Sequence, residues 1–323
     1  MQLKNIRKRV LSMISAKKSP GYSRLRRAQF REDRKLLLLL LPFLVILIMF
    51  KYVPLFGWIL SLYEYHAGTP IFKNEFVGLK YFRLIFKDYS MAQVIKNTLV
   101  FSVTDFVLQI LPMLFAILLN EVRSRRFKKF TQTITTLPHF ISWIIVYSLC
   151  FSLFSTDGLL NKALLDLNII TKPLQLLSNA KAVYPFHIIL LRWKELGWKA
   201  IIYIAALSGI DDGLYEAARI DGAGRFALVW HITIPSLMPT FLVLLILSVS
   251  NFVNVGFDQF FVFNNALVAR NIEVLDLYTY RVGLQQFDYS YATAVGIFKS
   301  AISIALLFTA NALSRRARGE SII

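Results

Sequence analysis

A chain of 323 residues has the length of about two soluble domains. Its composition excludes that class: 56% of the residues are hydrophobic and only 17% charged, with a mean hydropathy of +0.54, more apolar surface than one water-soluble core can bury. The formal net charge of +18, from 37 Lys plus Arg against 19 Asp plus Glu, makes a basic nucleic-acid surface the rival reading, to be decided by where the charges fall.

A helix needs roughly 20 mostly apolar residues to cross a bilayer. After a basic tail over residues 1–35, residues 36–50 are charge-free, Lys51 interrupts, and 52–63 are charge-free again. This predicts a first span with one snorkelling lysine. A cleaved signal peptide is the alternative for a first apolar run. The length of the basic tail and the lack of an A-x-A site after Phe50 argue against it.

The second span is predicted over 97–120, broken only by Asp105, and the third over 130–156, with no charge at all. The fourth, 183–210, holds Arg192, Lys194, Glu195 and Lys199. The fifth lies within the charge-free run 226–257, mostly after Pro235, and the sixth covers 289–313 with Lys299 near its middle. The expected fold is an all-α integral membrane protein with six transmembrane helices over 36–314.

Lys and Arg stay on the cytoplasmic side of short loops. One side collects 22 of them, from residues 1–35, 123–129, 210–234 and the tail 315–323. The other side collects 10, and 5 lie inside spans. Both termini are therefore expected in the cytoplasm, and the +18 reads as topology and attraction to anionic membrane lipid. No nucleic acid is needed.

Several classes drop out. No G-x-x-x-x-G-K-[ST] occurs, so the chain does not hydrolyse a nucleotide by the P-loop route. No H-E-x-x-H occurs and the four histidines are isolated, which leaves no metal site. Cys150 is the sole cysteine, so an internal disulfide and a Cys-rich zinc site are excluded. Voltage-sensor arginine runs, a TVGYG filter and repeats of 20–50 residues are absent. A membrane enzyme lacks any nucleophile and base that can be named.

The informative segment is the loop 209–235, between the fourth and fifth spans and cytoplasmic by the charge count. Asp211 or Asp212 can cap a short helix there, and Gly222 and Gly224 can end it. Leu214, Ala217 and Ala218 share one face, small enough for close approach of another protein, while Glu216 and Arg219 point elsewhere. A helix too short to be stable alone suits a docking surface.

This segment resembles the EAA loop of permease subunits of bacterial binding-protein-dependent ABC importers: E-A-A, three residues, G, nine residues, I-x-L-P. Glu216, Ala217, Ala218, Gly222, Ile232 and Pro235 stand at that spacing, with Asp221 before the glycine and Ile234 where Leu is usual. Gly213 stands where a bulkier turn residue is common, which is expected to loosen the start of the helix. The remainder resembles the MalF-like carbohydrate branch, in its subgroup for oligosaccharides released from polysaccharides. The matching stretches are FVGLKYFR at 76–83, NEVRSRRFKK at 120–129, LPHFISW at 137–143, GLQQ at 283–286 and YATAVGIFKS at 291–300.

The resemblance implies a type I importer fold and a multi-pass subunit of the bacterial cytoplasmic membrane. It also implies a coupling helix seated on an ABC ATPase dimer, a second related permease, an extracytoplasmic solute-binding protein and an oligosaccharide substrate. ATP and Mg2+ belong to the partner ATPase; this chain needs no cofactor and has no catalytic residue.

Charges at membrane depth are expensive and usually face protein or a water-filled path. Arg192 and Glu195, at i and i+3, permit an intrahelical pair, and Lys299 either faces the path or pairs with an acid of a neighbouring helix. Ser248, Asn251, Asn254 and Asp258 recur as one polar stripe on span five. They serve either interhelical hydrogen bonds or a route for sugar hydroxyls, since the fifth span lines the path in the carbohydrate family. Trp193, Phe252 and Phe257 can stack on pyranose faces or face lipid and core. The expected path residues are Trp193, Glu195, Ser248, Asn251, Asn254, Asp258 and Lys299. An excess of cations in spans four and six is compatible with an acidic, uronate-type chain. An ATP-independent channel or secondary transporter, with Asp105 and Lys299 as relay groups, is the rival function.

Overall fold

A computed structural model describes residues 35–318. Residues 1–34 and 319–323, which hold most of the two expected tails, lie outside the described residues. The principal helices are α1 (Lys35–Leu62), α2 (Tyr89–Asn120), α3 (Arg125–Thr136), α4 (Trp143–Asp166), α5 (Val183–Leu207), α6 (Asp212–Ile220), α7 (Arg225–Ser250) and α8 (Tyr289–Arg318). Among the described residues, β pairing is limited to one antiparallel bridge, Tyr63 with Phe76. Helices α1, α2, α4, α7 and α8 are long and apolar enough to cross a bilayer. Helix α5 has the length, 25 residues, but carries four charges.

The described residues divide into two compact units, with the boundary between Ile59 and Leu60. Apart from its last turn, α1 belongs to the first. In the second unit, lipid tails are as apolar as leucine, so packing rather than escape from water holds the helices together. Ala116 of α2 and Ala200 of α5 are fully buried with Tyr203 and Leu237, because small side chains let backbones approach. Phe101 of α2 packs with Val146 and Cys150 of α4 and with Phe260. Met91, Val94, Tyr278 and Val295 form a third cluster.

Asp88 caps α2. Its Oδ1 accepts from the Ser90 backbone N–H at 2.8 Å and the Ser90 hydroxyl at 2.7 Å, and its Oδ2 accepts from the hydroxyls of Tyr278 and Tyr291. Burial pushes this carboxyl up, and the four donors together outweigh it, holding the group below its usual range.

The third predicted span is not one helix. Helix α3 ends at Thr136, a tight turn covers Leu137–Phe140, and Ser142 caps α4 by accepting from the Ile145 N–H at 3.4 Å. Pro138 removes a backbone donor, which breaks the ladder. Lys194 of α5 satisfies the freed carbonyls: its Nζ donates to the oxygens of Pro138 at 3.1 Å, His139 at 2.7 Å and Ile141 at 2.6 Å, and it lies 5.4 Å from the Trp143 ring centroid. Lys194→Met is expected to cost roughly 3 kcal/mol or more, the scale of losing several charge-assisted hydrogen bonds, read as a lower thermal midpoint of the purified protein.

Two further boundaries differ from expectation. Helix α7 starts at Arg225, ten residues before Pro235, because a widened turn over Val229–Thr233 accommodates the proline ring. It then stops at Ser250, so Asn251, Asn254 and Asp258 do not continue a helical stripe. The Asn254 N–H donates to the Asn251 carbonyl at 2.8 Å and Gly256 adopts a positive φ of 97°, which turns the chain out of the helix.

Candidate functional site

The loop 209–235 folds from its own sequence. The Asp211 carboxylate accepts from the Gly213 N–H at 2.9 Å and so caps α6. A Cβ at Gly213 would lie 3.3 Å from that carboxylate oxygen, so glycine gives the cap room. At the other end the Asp221 N–H donates to Ala217 at 3.1 Å and the Ala223 N–H to Ala218 at 2.9 Å, with Gly222 between them at φ 81°. The Tyr215 hydroxyl lies 3.0 Å from that of Thr233, tying α6 to the turn before Pro235.

Leu214 is 51% and Ile220 87% exposed, and Glu216, Ala217, Asp221, Gly222 and Pro235 are exposed as well. Ala218 is half-buried. Beside α6 a groove of about 500 Å³ runs to Glu121 at the end of α2, whose carboxylate pairs with Arg225 at 3.1 Å.

A second feature lies between α2, α5 and the end of α7: a cavity of about 460 Å³, within the usual range for small-molecule sites. Glu195, Ser248, Asn251, Asn254 and Asp258 all line it. Although the last three lie beyond α7, the turn folds back so that the four polar residues from 248 onward still converge. Phe252 and Phe257 line it too. Trp193 does not; it sits on α5 at 42% exposure. Lys299 lines a separate hollow. Sequence reasoning used Asp105 only as a relay group of the rival function and Lys199 only as a charge within a span, yet both face the cavity, as do Gln109 and His187. A glutamine in the apolar run 97–120 was the available sign: its Nε2 donates to the Leu244 carbonyl at 3.0 Å.

The wall behind the cavity is a charge network. Arg192 pairs with Asp105 on α2 rather than with Glu195 on its own helix. Lys199 lies 3.9 Å from both Asp105 and Glu195, and His139 Nδ1 is 3.4 Å from Glu195 while its ring stacks on Trp198 at 4.4 Å. Lys194 is held by carbonyls and Lys299 by Asp276. Each of the four cations counted as an excess in spans four and six thus has a partner within the chain.

Removing Arg192 leaves Asp105 only its longer contact with Lys199, and breaking a largely buried pair typically costs up to roughly 3–5 kcal/mol. Arg192→Leu is expected to lower the thermal midpoint more than the double variant Asp105→Leu, Arg192→Leu. Additive losses, with the double variant costing the sum of Asp105→Leu and Arg192→Leu alone, would show that the pair contributes nothing.

A helical membrane bundle with an open cavity lined by polar and aromatic residues and a capped, exposed loop helix has the build of a transport subunit. Residues 109–319 match the model of the binding-protein-dependent transport system inner membrane component, and the chain belongs to that family. It is a non-enzymatic component of a membrane transporter. Protein LplB of Bacillus subtilis (strain 168) is 38% identical over 91% of this chain and 93% of its own length. The polygalacturonan/rhamnogalacturonan transport system permease protein YteP of the same organism is 39% identical over 90% and 91%. A chain in the crystal structure of a bacterial ABC transporter involved in import of the acidic polysaccharide alginate superposes with a TM-score of 0.82, at 32% identity, covering 91% of this chain and 99% of that one. The type I permease fold expected from the sequence is therefore the fold of this chain.

Proposed function

We propose that this chain is one of two related permease subunits in an ATP-driven importer of oligosaccharides in the cytoplasmic membrane of a bacterium. Both termini lie in the cytoplasm, and an extracytoplasmic binding protein delivers the solute. An ABC ATPase dimer, which holds ATP and Mg2+, grips α6 through Glu216, Ala217, Ala218, Asp221, Gly222 and the segment up to Pro235. Closure of the ATPases moves α6, and the permease pair shifts between inward-open and outward-open populations.

The observation that carries this reading is α6 itself: capped at both ends, tethered by Tyr215, yet with Leu214 and Ile220 left exposed. That is the form of a lever awaiting a partner. The solute path runs along Glu195, Ser248, Asn251, Asn254 and Asp258, where hydroxyl, amide and carboxylate groups match sugar hydroxyls and Phe252 and Phe257 offer faces for pyranose rings. Support for an acidic glycan comes from the relatives that handle polygalacturonan and alginate, not from unpaired span charge.

A channel or secondary transporter relaying ions through Asp105 and Lys299 is disfavoured by the family, whose members serve binding-protein-dependent transport. The deciding experiment reconstitutes the four components in proteoliposomes and follows labelled oligogalacturonide. Uptake is expected only with ATP and binding protein together; accumulation without ATP would overturn the proposal.

A further inference from the structure

We propose that the Asp276–Lys299 pair forms a second station on the solute path, one that binds the hydroxyl groups of a pyranose ring; this rests on the oligosaccharide reading above. Lys299 stands near the middle of the apolar part of α8 and pairs with Asp276 from the short helix Leu275–Tyr280. The two line a hollow of about 440 Å³ together with Asn254, Thr279, Ser300 and Ser303, with Gly296 and the exposed Ile304 at its apolar side. On α8, Gly296, Lys299, Ser300 and Ser303 follow at helical spacing and so share one face.

A hollow with this lining does not face lipid tails at that depth, since they offer its polar groups no partner. It faces either protein or a water-filled path. Asn254 favours the path, because it lines both this hollow and the main cavity. A solute leaving the Ser248, Asn251 and Asp258 group next meets Asn254 and then the pair.

The chemistry specifies the ligand class. The Asp276 carboxylate accepts from sugar hydroxyls, Lys299 donates to a hydroxyl or ring oxygen, and the Ser and Thr hydroxyls do either. One acid and one base cancel, so the station reads hydroxyls and is indifferent to the charge of the sugar's carboxyl group.

The test uses the complete importer in proteoliposomes, with Ser303→Cys in a Cys150→Ala background as the sole thiol of this chain. A charged methanethiosulfonate reagent is expected to label it in the assembled importer. Labelling should slow about tenfold when binding protein and trigalacturonate bring the path to roughly nine-tenths occupancy. Failure of the reagent to reach the introduced thiol after assembly would assign the hollow to the second permease, and labelling unaffected by the sugar would also overturn the station. In parallel, Asp276→Asn, Lys299→Met keeps the site neutral: a structural pair leaves the uptake KM unchanged, whereas a station raises it about tenfold, by the same factor for trigalacturonate and its methyl ester. An unaltered importer that moves neither probe would sink the oligosaccharide reading itself, before any variant is compared.

Discussion

Gly222→Val is expected to leave the importer assembled and to reduce ATP-driven uptake about tenfold or more, with ATP hydrolysis continuing. At φ 81° a β-branched residue is strained by roughly 1–2 kcal/mol, and that strain falls on the turn that closes α6. Space is not the obstacle, because a Cβ there meets nothing within 4 Å. The effect must therefore follow backbone preference. Asparagine tolerates the left-handed region, so Gly222→Asn should keep most of the uptake. Glu216→Lys reverses an exposed charge without touching the backbone, and should uncouple uptake from hydrolysis at unchanged thermal stability. If Val and Asn at position 222 behave alike, conformation is not what the glycine supplies.

Gly197→Leu should have the larger effect on stability. A Cβ at this position would lie 2.6 Å from the Thr136 nitrogen and closer still to the carbonyl carbon and oxygen of Thr135, all backbone atoms that cannot turn aside. Helices α3 and α5 must separate to admit it. Even Gly197→Ala is expected to cost about 3 kcal/mol, the upper range for overpacking, and Leu should prevent recovery of monodisperse protein. The measurement is the thermal midpoint and the size-exclusion profile in detergent. A normal profile for Leu would mean that the crossing is looser than its geometry. The displacement would also reach Lys194, three residues away, and withdraw it from the carbonyls of Pro138, His139 and Ile141.

The helices and the loop were legible in the sequence for different reasons. Apolar runs near bilayer length announced the spans, and the caps of α6 follow from Asp211 and Gly222 alone, which are local effects. Helix α5 was visible only as a charged, ambiguous stretch, since its cations find their partners on α2 and in the turn after α3. Periodicity suggested a polar stripe through Asp258, yet the chain leaves the helix at Ser250. The residues converge on one cavity by tertiary folding, which spacing along a helix cannot express. The break at Pro138 was readable from the proline, but the lysine that makes it tolerable lies more than fifty residues further on. Asp276 went unremarked because it stands outside any span; its role emerges only through Lys299.

The partners of the charged residues have an order along the chain. Arg192 and Lys199 turn to Asp105, Lys194 to carbonyls at 138–141, and Lys299 to Asp276. In each case the partner group is synthesised before the cation it receives. A lysine or arginine entering a bilayer alone meets an insertion penalty of roughly 2.5–3.5 kcal/mol. Here each counterpart precedes its cation in the chain, so α5 can enter against an α2 made before it. Biogenesis of this protein thus has a direction, and a circular permutant that made α5 before α2 would ask a helix with four charges to enter the membrane unaccompanied.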